Sequence, residues 1–254
     1  TGGNLEIVPR VGPASTTVTD DADATTVTIS TATATVTEGG SIVYTATTSN
    51  PVTGSALVVT LSNGQTITIP VGQSSANSAP FAVRADDAYA QGTQTLNVTA
   101  TGTTGGNFEA VTRTGTATTT VTDDADATTV TITASAATVT EGGSITYTAS
   151  VNNAVTGTPL AITLSNGQTI TIPVGQSSAT GTAFAVRADD AYAQGTQTLN
   201  VGISSTSGGN YEALTTTSTA STTVTDDADA TTVTISTATA TVTEGGSIVY
   251  TATT

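Results

Sequence analysis

The fold is decided by one stretch: Leu57-Val58-Val59-Thr60-Leu61-Ser62-Asn63-Gly64-Gln65-Thr66-Ile67-Thr68-Ile69. Apolar residues alternate before the Asn-Gly pair (Leu57, Val59, Leu61) and after it (Ile67, Ile69). Alternation of period two places one face of a strand on a core, and Asn-Gly between two such runs is a strong hairpin signal. The stretch returns as Leu160-Ala161-Ile162-Thr163-Leu164-Ser165-Asn166-Gly167-Gln168-Thr169-Ile170-Thr171-Ile172, displaced by 103 residues.

Outward from the hairpin, Thr and Val dominate and helix signals are nearly absent. Seven strands are read in 25–127. They cover about 25–37 with a break near Ala32, 41–48 (Ile42, Tyr44, Ala46 on one face), 55–62, 65–71 (Ile67, Ile69, Val71 inward), 79–85 (Phe81, Val83), 94–101 (Leu96, Val98) and 112–122. Seven short antiparallel strands in about 100 residues predict an all-β chain of tandem immunoglobulin-like, Greek-key β-sandwiches in an elongated array. The outward positions are mostly Thr and Ser, which suits a solvated strand face.

The 103-residue step organises the whole chain of 254 residues. Residues 25–127 and 128–230 read as complete repeats that differ at 27 of 103 positions. Residues 1–24 read as the C-terminal strand of a truncated repeat and 231–254 as the first strands of another. Residues 231–254 equal 25–48 letter for letter, so the chain reads as part of a longer array.

Composition excludes several chemistries. There is no Cys, His, Met, Trp or Lys. Disulfides, Lys–Asn cross-links, Ser–His or Cys–His nucleophiles and thiolate or imidazole metal sites are therefore ruled out, and an enzyme is not expected. Four Arg in a chain of net charge −15 cannot neutralise a phosphate backbone or an anionic membrane. No apolar run approaches a spanning helix.

All 19 carboxylates fall on seven positions of one repeat. In a sandwich whose strands alternate direction, three segments share one end. They carry Glu38 in the first loop, Asp86 and Asp87 after the fifth strand, and Asp123, Asp124 and Asp126 after the last. Their copies are Glu141, Asp189, Asp190, Asp226, Asp227 and Asp229, with Asp20, Asp21, Asp23 and Glu244 in the partial repeats. Two carboxylates 4–5 Å apart repel by roughly 3–4 kcal/mol at an effective dielectric near 20. With only hard oxygen ligands present, Ca2+ is the expected partner. Glu109 and Glu212, at the opposite end, are expected to approach the Asp cluster of the preceding junction or to be solvated. Arg84 and Arg187 are read as local salt bridges to the Asp pairs that follow them. Tyr89 and Tyr192 are read as plugs of the sandwich end, with the hydroxyl bonded to backbone. The junction Asp-Asp-Ala-Asp-Ala runs straight into Thr-Thr-Val-Thr-Ile with no Gly/Ser linker.

The runs Thr-Val-Thr-Glu-Gly-Gly-Ser, Val-Arg-Ala-Asp-Asp-Ala-Tyr-Ala-Gln-Gly-Thr-Gln and Thr-Val-Thr-Asp-Asp-Ala-Asp resemble the extender repeats of giant bacterial RTX adhesins, and the layout is similar to Calx-β domains. The resemblance implies calcium ligation by Glu38, Asp86, Asp87, Asp123, Asp124 and Asp126. It departs from Calx-β at Gln91 and Gln94, where acidic residues are expected. It also implies a secreted, outer-membrane-tethered cell-surface tether, exported by type I secretion, that holds a distal ligand-binding region away from the cell and supports adhesion and biofilm formation. Its partners would be neighbouring repeats of the same chain and calcium, with chain–chain association in a biofilm or filament. A surface- or carbohydrate-binding module, or a subunit of an extracellular filament, stays open as the alternative.

Overall fold

The computed structural model describes residues 12–19, 21 and 23–254. They are strands, turns and loops without a helix. Two compact units are present, one of Thr1–Ala85 and Thr93–Thr122, the other of Asp86–Gly92 and Asp123–Thr254.

The first unit holds β1 (Ala24–Thr31), β2 (Thr35–Thr37), β3 (Ser41–Ile42), β4 (Tyr44–Thr48), β5 (Leu57–Leu61), β6 (Thr66–Ile69), β7 (Ser75–Asn77), β8 (Phe81–Ala82), β9 (Gln94–Val98), β10 (Ala100–Gly105), β11 (Ala110–Thr114) and β12 (Ala117–Thr122). One sheet has the order β11-β1-β4-β7, and β10-β5-β6 and β2-β12-β9 make up further sheets. The second unit repeats this with β13 (Ala127–Ala134), β14 (Thr138–Thr140), β15 (Ser144–Ile145), β16 (Tyr147–Val151), β17 (Leu160–Leu164), β18 (Thr169–Ile172), β19 (Ser178–Thr180), β20 (Phe184–Ala185), β21 (Gln197–Ser207), β22 (Ala213–Thr215) and β23 (Thr219–Thr225). Here β21 runs unbroken and joins a five-stranded sheet, β14-β23-β21-β17-β18. The last residues form the pair β24 (Thr234–Thr237) and β25 (Tyr250–Thr253).

The deciding hairpin is β5–β6, paired from Leu57↔Ile69 to Thr60↔Thr66. The Gly64 N–H donates to the Leu61 carbonyl at 3.0 Å and the Leu61 N–H to the Gln65 carbonyl at 2.8 Å. Gly64 has φ 85°, so the loop is a three-residue turn closed by a left-handed glycine. Ile42, Tyr44, Ala46, Leu57, Val59, Leu61, Ile67 and Ile69 are buried, as the alternation demands. Each such aliphatic side chain contributes about 1.5–3 kcal/mol through burial. Val71 is an exception. The strand ends at Ile69, and Val71 sits in the following turn, 54% exposed.

Strand breaks place the loops of interest. The first strand stops at Thr31 and restarts at Thr35 in a different sheet, where β2 runs parallel to β12. The last strand breaks at Gly115 (φ 79°), where a Cβ would lie 2.6 Å from the Ile29 carbonyl oxygen. In the second repeat Ser218 stands there, and its Oγ accepts from the Ile132 N–H at 3.0 Å. After the break the chain pairs with β2 or β14, so the end of the last strand meets the first loop. The Glu38 N–H donates to the Thr122 carbonyl and the Glu141 N–H to the Thr225 carbonyl, both at 2.9 Å. The fifth strand, expected over 79–85, is instead two short pieces at 75–77 and 81–82. The second repeat breaks at the same place with Ala183 where the first has Pro80, so proline is not the cause.

Candidate metal centre

Three backbone hydrogen bonds assemble the acidic end of the second repeat. Glu141 is held to Thr225, directly before Asp226 and Asp227. The Gly142 N–H donates to the Arg187 carbonyl at 2.9 Å and the Val186 N–H to the Gly143 carbonyl at 3.1 Å. The loop carrying Glu141 is thereby pinned between the end of β23 and the segment that leads to Asp189. Gly142 has φ 71°, and a Cβ there would lie 2.8 Å from the Asp189 Cβ. Only glycine fits that approach without strain.

Carboxylate oxygens of Glu141, Asp189 and Asp227 all lie within 4.8 Å of one another. Calcium–oxygen bonds of 2.3–2.6 Å put two ligands on opposite sides of an ion about 4.6–5.2 Å apart, so the three fit a single calcium. The Glu141 side chain is 1% exposed. Its Oε2 accepts from Arg187 Nε at 2.8 Å, while Oε1 is buried with no partner. A buried carboxylate oxygen without a donor is costly unless something positive meets it. The all-oxygen donor set suits a hard cation.

The other carboxylates are occupied differently. Asp190 Oδ1 accepts from the Tyr192 N–H at 2.8 Å, and its Oδ2 accepts from Gln194 Nε2. Asp226 Oδ1 accepts from Arg187 Nη2 at 3.0 Å, and Oδ2 from the Gln194 and Gly195 N–H groups at 3.0 and 3.4 Å. These two brace the loop rather than face the cluster. Crowding by Asp189 and Asp227, then burial, then Asp190 and Asp226, holds the Asp229 carboxyl above its ordinary range. Burial raises the Glu141 carboxyl; Arg187 opposes this and Asp226 adds to it.

The same division recurs one repeat earlier. Asp87 Oδ1 accepts from the Tyr89 N–H at 2.9 Å and Oδ2 from Gln91 Nε2 at 2.6 Å. Asp123 Oδ2 accepts from the Gln91 and Gly92 N–H groups at 2.7 and 2.6 Å. Gln91 and Gln194 therefore supply hydrogen bonds to carboxylates at the place where Calx-β domains are expected to have acids. Asp124, Asp126 and Glu212 have carboxylate oxygens within 4.8 Å of one another, and the Asp126 N–H donates to Glu212 Oε2 at 2.7 Å. Glu212 thus approaches the Asp cluster. Glu109 does the same, accepting on Oε2 from the Asp23 N–H at 2.5 Å. In the first unit Glu38 is buried, with Oε2 accepting from Arg84 Nε at 2.8 Å and Oε1 unpartnered. Asp86, Asp21 and Glu244 are exposed, and Asp20 lies outside the described residues.

Two readings need correction. Arg187 reaches Glu141 and Asp226, 46 and 39 residues away, rather than the adjacent Asp pair. Arg84 reaches Glu38 across 46 residues. Tyr89 does bond backbone through its hydroxyl, but to the Ala154 carbonyl at 2.8 Å, and its ring stacks on Tyr211 at 5.8 Å. Tyr211 in turn donates to the Asn153 carbonyl at 2.8 Å. Tyr192 is 76% exposed, so it does not plug the end of its own sandwich. The sequence carried a signal for the Tyr89 contact, an aromatic in each Gly-Gly-Asn-aromatic-Glu run of the complete repeats, but not its partner.

Fold and site together define a tandem β-sandwich protein with a carboxylate cluster closing the repeat. The LapA domain family matches residues 23–124 and 126–227, and the chain belongs to that family. No curated protein matches it. Among solved structures it is similar to a tetra-tandem repeat in the extending region of a large adhesion protein (17% identity, 91% of this chain, 63% of that chain, TM-score 0.31). It is also similar to fibronectin(III)-like modules of Clostridium thermocellum CbhA (13%, 78%, 94%, TM-score 0.26) and to the Yersinia pseudotuberculosis adhesin InvE (16%, 80%, 58%, TM-score 0.23). The chain spans 63% of the length of the first of these.

Proposed function

We propose that the chain is a structural extender of a secreted, cell-surface bacterial adhesin, stiffened by calcium where repeats meet. The tether would be exported by type I secretion, held at the outer membrane, and would project a distal binding region that supports adhesion and biofilm formation. Membership of the LapA domain family, in two tandem copies, supports the extender role. One observation carries the calcium reading: the buried, unpartnered Oε1 of Glu141 beside Asp189 and Asp227, whose oxygens fall within 4.8 Å.

In this reading Glu141, Asp189 and Asp227 hold one ion, and Asp124, Asp126 and Glu212 hold another. The cation offsets the repulsion that otherwise pushes these loops apart. The repeat-to-repeat connection, Asp-Asp-Ala-Asp-Ala with no linker, then has fewer conformations. The test is a melting curve in calcium and in excess EDTA. A site occupied at about 100 times its dissociation constant adds roughly 2.7 kcal/mol, so melting should rise clearly with calcium. Equal curves in calcium and EDTA rule the reading out.

A further inference from the structure

Beside the Asn-Gly turn of the deciding hairpin lies a cavity that both units carry. In the first unit it measures about 200 Å³. Phe81, Leu96 and Val98 give it an apolar side, and Ser62, Asn63 and Asn97 a polar one. Tyr44 also lines it, its ring 6.2 Å from that of Phe81. In the second unit the same residues one step on, Ser165, Asn166, Phe184, Leu199, Asn200 and Val201, line a cavity of about 160 Å³.

Two features point to a ligand. The first is an orphaned hydroxyl. Tyr44 and its copy Tyr147 are each 1% exposed, and both hydroxyls are buried without a hydrogen-bond partner. A buried hydroxyl is costly unless something bonds it. Burial raises the Tyr44 hydroxyl above its ordinary range and the Asn63 side chain opposes the rise, so the hydroxyl stands beside a cavity residue. The second is a set of donors. Ser62 Oγ accepts from the Thr99 N–H and Ser165 Oγ from the Gly202 N–H, both at 3.1 Å, so each serine keeps its own proton to donate. Asn97 Oδ1 accepts from Thr118 Oγ1 at 2.8 Å, and its amide nitrogen keeps its N–H donors.

Among the described residues no charged side chain lines either cavity. In a chain of net charge −15 an anion would find no counter-charge there. A neutral ligand with one apolar face and several hydroxyls fits the lining. The volumes fall below the roughly 300–1,000 Å³ of sites for drug-sized molecules, which limits the ligand to about one ring.

We propose that this cavity binds one neutral pyranose ring in each repeat. Ring C–H groups rest on Phe81 and Leu96. Ring hydroxyls meet the Ser62 hydroxyl and the Asn97 amide, and the deepest one reaches the Tyr44 hydroxyl as the Asn63 side chain turns aside. None of the clustered carboxylates takes part, so no metal is needed. Two such sites on one chain strengthen its hold on a neutral polysaccharide that presents the ring repeatedly.

Nuclear magnetic resonance of the full chain in EDTA tests this with the methyl pyranosides of glucose, galactose, mannose and N-acetylglucosamine. EDTA makes the outcome independent of the calcium reading. The expected result is saturable shifts of the Asn63 and Asn166 backbone amides with at least one of the four, at dissociation constants on the order of millimolar. The methyl glycoside of glucuronate, a ring of the same size with a carboxylate, should shift neither. Tyr44→Phe combined with Tyr147→Phe removes only the orphaned hydroxyls. It should weaken binding about tenfold without lowering the melting temperature. Asn97→Ala combined with Asn200→Ala, at two exposed positions, should abolish binding. No saturable shift with any of the four sugars overturns the proposal, as does unchanged affinity in either double variant or equal binding of the glucuronate.

Discussion

Arg187 donates from Nε to Glu141 Oε2 at 2.8 Å and from Nη2 to Asp226 Oδ1 at 3.0 Å, joining the first loop of the repeat to the end of its last strand. Arg187 is the only basic residue of the second repeat. Replacing Arg187 with Gln leaves the buried Glu141 carboxylate without its cation, a strongly destabilising change. In EDTA the variant should melt below the parent. Calcium should raise its melting temperature by more than it raises the parent's, because the ion meets a larger uncompensated charge. Calorimetry in both buffers checks this.

Gly142 is the tightest point of the site. Its φ is 71°, and a Cβ added there would stand only 2.8 Å from the Asp189 Cβ. Gly142→Ala therefore strains the backbone by about 1–2 kcal/mol and displaces Asp189. The prediction is a weaker calcium response with the β-sheet circular dichroism unchanged. Gly167→Ala serves as the control. It has φ 85° but open space around it, so it should cost stability and leave the calcium response intact.

Acidity should act in opposite directions with and without metal. The Glu141 carboxyl is raised above its ordinary 4.5, chiefly by burial, and that of Asp229 above its ordinary 3.8, chiefly by Asp189 and Asp227. From those ordinary values up to the raised ones, the folded chain binds more protons than the unfolded chain. These two groups therefore make stability fall as pH rises through that window. Calcium needs the deprotonated ligands, so in its presence the same window should show stability rising with pH. Urea unfolding across the carboxylate range, compared with Asp229→Asn, isolates the effect. Equal pH slopes for parent and variant in EDTA would count against it.

Tyr89 makes a contact that needs no ion. Tyr89→Phe removes the hydrogen bond to the Ala154 carbonyl and should cost about 1 kcal/mol. Tyr89→Ala also removes the stack on Tyr211 and should cost about 2–3 kcal/mol. Denaturant unfolding in EDTA measures both without contribution from metal.

The alternation of Leu57, Val59, Leu61, Ile67 and Ile69 made the hairpin and the buried face legible, because period two leaves a strand no other way to hide its aliphatics. The convergence of Glu141, Asp189 and Asp227 was legible too, since alternating strand direction sends three particular loops to one end. Three features were not. Nothing in the local sequence says that Arg187 bonds Glu141 instead of the neighbouring aspartates. That choice follows from the backbone pins at Gly142 and Val186, which bring the distant carboxylate nearer. Val71 continues the alternation and yet is exposed, because the turn at Pro70–Gly72 takes it off the sheet. The six acids also look equivalent in sequence. The donors of Arg187, Tyr192, Gln194 and Gly195 separate the bracing Asp190 and Asp226 from the clustered Glu141, Asp189 and Asp227.

The most direct test of the calcium centre counts ions. After equilibration with calcium and removal of the free metal, the ions retained per chain are measured for the parent and for Glu141→Gln. The variant keeps an oxygen that can accept from Arg187 but loses the buried charge. The account predicts at least two ions in the parent and one fewer in the variant, with melting in EDTA no lower than the parent's. An unchanged ion count in Glu141→Gln, or no retained calcium in the parent, would contradict it.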